Sequence, residues 1–125
     1  MLAKRVVLYF YPKDNTSGCT IEAEEFSALI ESFEAKDSII VGISPDSPQS
    51  HQKFIAKKSL KVLLLSDTDK SVATKYGVYG KKMMYGKEVQ GIIRSTFVIE
   101  RDGKISHSFY NVHSKGHAQK VLEVL

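Results

Sequence analysis

The chain has 125 residues, 42% of them hydrophobic, which suits one compact domain burying about two-thirds of the surface its unfolded chain would expose. A single cysteine excludes an internal disulfide framework and points to a reducing compartment. The net charge of +4 comes from dispersed basic residues, in pairs such as Lys57-Lys58 and Lys81-Lys82, so the clustered face that a nucleic-acid partner requires is not expected.

No apolar run approaches the ~20 residues that cross a bilayer, and the opening "MLAKRVVLYFYPKD" lacks the length and small-residue cleavage site of a signal peptide. A cytoplasmic protein without membrane association is therefore expected. "RVVLYFY", Arg5 to Tyr11, is β-branched and aromatic and is stopped by Pro12, the signature of a buried strand. From Thr20, Ala23, Phe26, Leu29, Ile30 and Phe33 recur at three- and four-residue steps and predict a helix with one buried face. "SIIVGIS", Ser38 to Ser44, is a second strand; Asp46 or Ser47 then caps a helix with Pro48 in its first turn and Phe54 and Ile55 inside.

"VLLLS", Val62 to Ser66, is a third strand, followed by a helix capped by Asp67 or Thr68 and stopped at Gly77. The glycine-rich segment Gly77 to Gly91 predicts an irregular surface excursion. "IRSTFVIE" and "KISHSFY" flank Asp102-Gly103 and predict an antiparallel hairpin; Lys115 to Leu125, with Ala118, Val121, Leu122 and Leu125 on one face, predicts a closing helix. The succession defines one α/β domain over residues 1–125: a mixed central sheet with helices on both faces.

Cys19 falls where the first loop becomes the first long helix, at the carboxyl end of the first strand, the edge where open α/β sheets place their sites. Unpaired amides and the helix dipole favour an anion there, and thiols at helix starts commonly ionise in the ~3.5 to 7.5 range. The bland alternative is a small buried hydrophobe. Its neighbours argue for chemistry: Gly18 permits close approach to the backbone, Thr16 supplies a hydroxyl, and Pro12 stiffens the turn.

The segment "YFYPKDNTSGCTIEAEEF" resembles the active-site stretch of the peroxiredoxins, in particular the bacterioferritin comigratory protein or Q-type subfamily. It carries the Pro-x-x-x-Thr-x-x-Cys spacing in Pro12, Thr16 and Cys19, with Glu22 also in place. "VGISPDSPQSHQKF", "LLSDTDKSVATKYGV", "IIRSTFVIERDGKI" and "KGHAQKVLEVL" are similar to later family segments in the same order. The resemblance implies a thioredoxin-like fold and a thiol-dependent peroxidase acting on hydrogen peroxide and small organic hydroperoxides, with no cofactor. It implies that Cys19 is the peroxidatic nucleophile, that Thr16 bonds the peroxide, that Pro12 shields the site and that Arg94 completes it. Glu22 is left between two partners, the first helical turn and Arg94.

An acidic thiol alone does not explain such an activity. Lowering a thiol pKa from ~8.5 to ~6 raises its thiolate fraction at neutral pH about 30-fold, while a Brønsted coefficient of ~0.45 takes back about 13-fold in nucleophilicity. The remaining rate must come from groups that stabilise charge as the oxygen–oxygen bond breaks, for which Arg94, Thr16 and the amides near Cys19 are the candidates.

The chain departs from the family pattern in three places. Where many members of the subfamily carry a resolving cysteine, five residues after the first, this chain has Glu24. The resemblance therefore implies a one-cysteine enzyme whose sulfenic acid is resolved by thioredoxin, glutaredoxin, glutathione or Cys19 of a second chain. Ser17 stands where proline is common. The family has further N-terminal residues ahead of the match to Val6–Tyr11, so this chain either is a shortened form or lacks those strands, whose loss would uncover apolar surface or a sheet edge; a monomer or weak dimer is expected. A non-enzymatic redox module built on an oxidisable Cys19 is the alternative function; a disulfide oxidoreductase is disfavoured because Cys-x-x-Cys is lacking.

The four histidines, His51, His107, His113 and His117, have no metal-binding spacing, Asp67 and Asp69 suit a helix cap better than a calcium loop, and the glycines suggest no phosphate loop.

Overall fold

The computed structural model describes residues 3–84 and 86–125, with the side chain of Met84 also left aside. A five-stranded sheet is ordered β3-β2-β1-β6-β7, from β1 (Arg5–Phe10), β2 (Ser38–Ser44), β3 (Leu63–Ser66), β6 (Ser95–Ile99) and β7 (Ile105–Phe109). β1 pairs with β2 in parallel and with β6 antiparallel. The strand carrying the first turn therefore lies at the centre, and residue 94 arrives beside its carboxyl end.

Alternate residues of β1 feed two cores. Val7, Tyr9 and Tyr11 pack with Ala23, Phe26, Phe33, Phe54 and Val121 under α1 (Ser17–Ala28), α2 (Ile30–Glu34), α3 (Pro48–Lys58) and α5 (His117–Glu123). Leu8 and Phe10 pack on the other face with Ala73 of α4 (Ser71–Lys75), Val78, Ile92 and Phe97. The period-two alternation of a strand buried on both sides is enough to build both layers. Gly42 allows the first core to close: a Cβ there would lie 2.6 Å from the Tyr9 ring.

The predicted caps are present in part. The Ser47 hydroxyl accepts from the Ser50 amide with Pro48 at the helix start. Asp67 accepts from the amides of Val72 and Ala73. The hairpin between β6 and β7 turns through Gly103 at φ +86°.

Two expectations need correction. The helix predicted through Phe33 is interrupted at Leu29, which separates α1 from α2. The apolar spacing continues across the interruption and neither glycine nor proline marks it, so nothing in the sequence signals it. The excursion Gly77 to Gly91 contains a regular hairpin, β4 (Tyr79–Met84) against β5 (Lys87–Ile92). Gly80 faces Gly91 across that pair, so the usual β-branched alternation is diluted where it would have been informative. Tyr85, within the same excursion, lies outside the described residues.

Candidate active site

Cys19 is the third residue of α1 and is 1% exposed. Thr16 is the N-cap residue, in extended conformation at ψ 158°, but its side chain caps nothing. Its hydroxyl donates backward to the carbonyl of Lys13 at 2.9 Å. An N-cap threonine normally accepts from the amide of the second or third helical residue, here Gly18 or Cys19. With that bond unmade, these amides stand at the positive end of α1 without a side-chain partner among the described residues. Thr16 itself is exposed and Pro12 is half-buried.

Arg94 joins the site from across the sheet. The register Phe10↔Ser95 places it just beyond the end of β1, and its carbonyl accepts from the Val112 amide at 2.9 Å. Its guanidinium divides between two residues one helical turn apart. Nη2 donates to Cys19 Sγ at 3.3 Å and Nη1 to Glu22 Oε1 at 2.6 Å. The structure thus resolves the partner of Glu22 in favour of Arg94.

Glu22 is fully buried, and Oε2 has no hydrogen-bond partner among the described residues. Burial pushes its carboxyl up to about 7, against the opposing pull of Arg94. For Arg94 itself, burial disfavours the charge, but Glu22 and Cys19 outweigh it and hold the pKa above its ordinary value. A guanidinium forked between a carboxyl and a sulfur keeps a fixed positive charge beside the sulfur.

Gly18 has a role other than the one its position suggests. A Cβ there would lie 3.1 Å from Arg94 Nη2 and 3.1 Å from Ser114 Oγ, so the group that approaches this backbone closely is the arginine rather than a ligand. Glu24, at the position of the absent resolving cysteine, is exposed on α1. Its neighbour Glu25 accepts from the Gly116 amide at 2.8 Å, tying the site helix to the start of α5. There His117 contacts the Thr96 hydroxyl at 2.7 Å; burial first, then Arg94 and Lys120, push its pKa down to about 4 and keep it neutral.

The fold brings Cys19, Glu22, Gly18 and Arg94 together, with Thr16 and Pro12 on the adjoining loop. Sequence reasoning missed Ser114 and the buried side chains of Tyr11, Asp14 and His51 behind that loop. A polar residue four places after a strand's end carries no mark of burial, and the spacing of His51 speaks only to metal binding. Among the described residues, no group of three His, Cys, Asp or Glu side chains converges on a metal site, and no helix is long and apolar enough to cross a membrane.

A thioredoxin-like sheet presenting one arginine-bonded cysteine at the start of its first long helix defines a thiol peroxidase. The AhpC/TSA family model matches residues 1–108. The chain is 63% identical to a putative peroxiredoxin Bcp of Helicobacter pylori over all of its own length and 82% of that protein's. It is 44% identical to peroxiredoxin Bcp of Bacillus subtilis over 98% of its length and 78% of the relative's. A solved structure of the Xanthomonas campestris bacterioferritin comigratory protein, described in terms of alkyl peroxide reduction, superposes with a TM-score of 0.92 at 40% identity, covering 98% of this chain and 78% of that one. The chain belongs to the AhpC/TSA family, as a Bcp or Q-type peroxiredoxin lacking the resolving cysteine, and is a thiol-dependent peroxidase.

Proposed function

We propose that Cys19 is the peroxidatic nucleophile of an enzyme that reduces hydrogen peroxide and small organic hydroperoxides, alkyl peroxides included, with Arg94, Thr16, the amides of Gly18 and Cys19, and Pro12 forming its peroxide site. The carrying observation is the Arg94 fork, 3.3 Å from Cys19 Sγ and 2.6 Å from Glu22. The deprotonated sulfur attacks one peroxide oxygen. The sulfur–oxygen bond forms with two electrons from sulfur, the oxygen–oxygen bond breaks, and the departing oxygen leaves as water or alcohol after taking a proton. Charge moves from sulfur to that oxygen, so a guanidinium already bonded to the sulfur, together with the amides at the start of α1, lowers the barrier without reorganising. Thr16 Oγ1, whose hydrogen is committed to Lys13, retains lone pairs to accept from the peroxide hydroxyl.

Cys19 becomes a sulfenic acid. One external thiol condenses with it, releasing water and leaving a mixed disulfide; a second thiol displaces the sulfur, giving an external disulfide and regenerating Cys19. Thioredoxin, glutaredoxin and glutathione are the candidate donors. The test is intact-mass spectrometry of reduced protein after one equivalent of hydrogen peroxide, with and without glutathione. A gain of one oxygen, replaced by one glutathionyl adduct and absent in Cys19→Ser, is expected; no adduct in either case overturns the reading.

A further inference from the structure

The loop between β1 and α1 carries Pro12 and Thr16, and midway along it Asp14 is 7% exposed. A buried carboxylate needs donors, and Asp14 has three. The Tyr11 hydroxyl donates to Oδ1 at 2.6 Å, the Ser50 hydroxyl donates to Oδ2 at 2.8 Å, and Nδ1 of His51 lies 2.7 Å from Oδ2. Burial and Asp14 hold the Tyr11 pKa far above its ordinary value, so it remains a phenol and a donor.

His51 is 3% exposed, with Nε2 2.9 Å from the carbonyl of Leu65. A carbonyl oxygen only accepts, so Nε2 bears hydrogen; a bare lone pair on Nδ1 would face the carboxylate, so the Nδ1–Oδ2 contact holds a proton as well. The cluster thus joins the carboxyl ends of β1 and β3 and the helix α3 to a single loop position.

That position is coupled to the peroxide site through one peptide plane. The N–H of the Lys13–Asp14 peptide donates to Asp46 at 2.8 Å, and Asp46 also accepts from the Ser44 hydroxyl at 2.6 Å. The carbonyl of the same peptide accepts from the Thr16 hydroxyl at 2.9 Å. Rotating that plane would redirect Thr16 Oγ1 and the entry into α1. We propose that Asp14 and His51 are positioning residues for peroxide reduction: their buried pair fixes the peptide plane that orients Thr16, while neither touches the reacting atoms. This rests on the assignment of Thr16 and Cys19 above.

The test compares His51→Leu, His51→Asn and Ser50→Ala with the wild-type full chain, following single-turnover loss of hydrogen peroxide and, separately, alkylation of Cys19 by iodoacetamide. A misplacement near 1 Å costs on the order of 100-fold in a reaction that depends on orientation. His51→Leu is therefore expected to react with peroxide about 10- to 100-fold more slowly, with alkylation changed less than about threefold, because alkylation makes no use of Thr16. His51→Asn places an amide N–H close to the Nδ1 position and should recover the peroxide rate to within about fivefold of wild type.

A folded His51→Leu with the wild-type peroxide rate, an equal loss in both reactions, or no recovery in His51→Asn would overturn the proposal. If circular dichroism shows His51→Leu unfolded, Ser50→Ala decides: a slowing of about threefold or more supports it and an unchanged rate overturns it. Failure of the wild-type chain to consume peroxide would overturn the underlying assignment of Cys19 instead.

Discussion

Replacing Glu22 by glutamine removes the buried carboxyl while keeping an oxygen for Arg94 Nη1, so stability and catalysis are perturbed separately. The folded carboxyl is raised from 4.5 to about 7 by burial, with Arg94 only partly offsetting it. Between these values the unfolded chain has released the proton and the folded chain still holds it, so stability falls as pH rises through that window and levels off above it. The full displacement corresponds to about 3 kcal/mol. Wild-type and Glu22→Gln proteins should therefore differ most in their pH dependence, the variant gaining about 3 kcal/mol relative to wild type between pH ~4 and ~8. Urea unfolding at intervals of pH measures the difference directly, and slopes from all other groups cancel. A stability difference independent of pH would refute the reasoning, since it would mean that Glu22 releases its proton alike in both states.

Arg94→Ala and Thr16→Val should each slow peroxide reduction, Arg94→Ala by about 100- to 1000-fold as expected for a lost donor to developing charge; stopped-flow mixing with hydrogen peroxide checks both, and wild-type rates would count against these assignments. Gly18→Ala should push the guanidinium a few tenths of an ångström away from the backbone and slow the same reaction up to about tenfold, with little change in thermal midpoint, since the added Cβ meets Arg94 and Ser114 rather than backbone. His117 runs opposite to Glu22. Its folded pKa is held down to about 4 by burial, then Arg94 and Lys120, so the unfolded chain protonates first and stability is lost as pH falls from 6.5 toward 4. His117→Asn should flatten that acid limb in a series of thermal melts.

Much of the architecture is legible in the residues themselves. "RVVLYFY" is apolar on both faces and short, so it can only be a strand covered on both sides; Ser47-Pro48 and Asp102-Gly103 punctuate the chain by local chemistry that needs no tertiary partner. The spacing of Pro12, Thr16, Gly18, Cys19 and Glu22 is equally local, which is why most of the candidate site lies in one stretch of sequence. The Leu29 interruption and the hairpin of β4 and β5 are not local: periodicity runs through the first, and facing glycines erase the pattern of the second.

What the sequence determined by itself is the chemistry on offer: one sulfur where a loop becomes a helix, a hydroxyl three residues before it, and no second cysteine in the 125 residues. Tertiary structure decided how those groups are aimed. Arg94 is 75 residues from Cys19 along the chain and reaches it only because β6 lies antiparallel beside β1. Glu22 takes Arg94 as its partner because one helical turn brings it beneath the same guanidinium. Asp14 finds His51 where the carboxyl ends of β1 and β3 meet α3, because a buried charge must be satisfied by whatever the fold places near it. Arg94 and His51 come from distant parts of the chain, 75 residues from Cys19 and 37 from Asp14, and local sequence carries no record of these pairings.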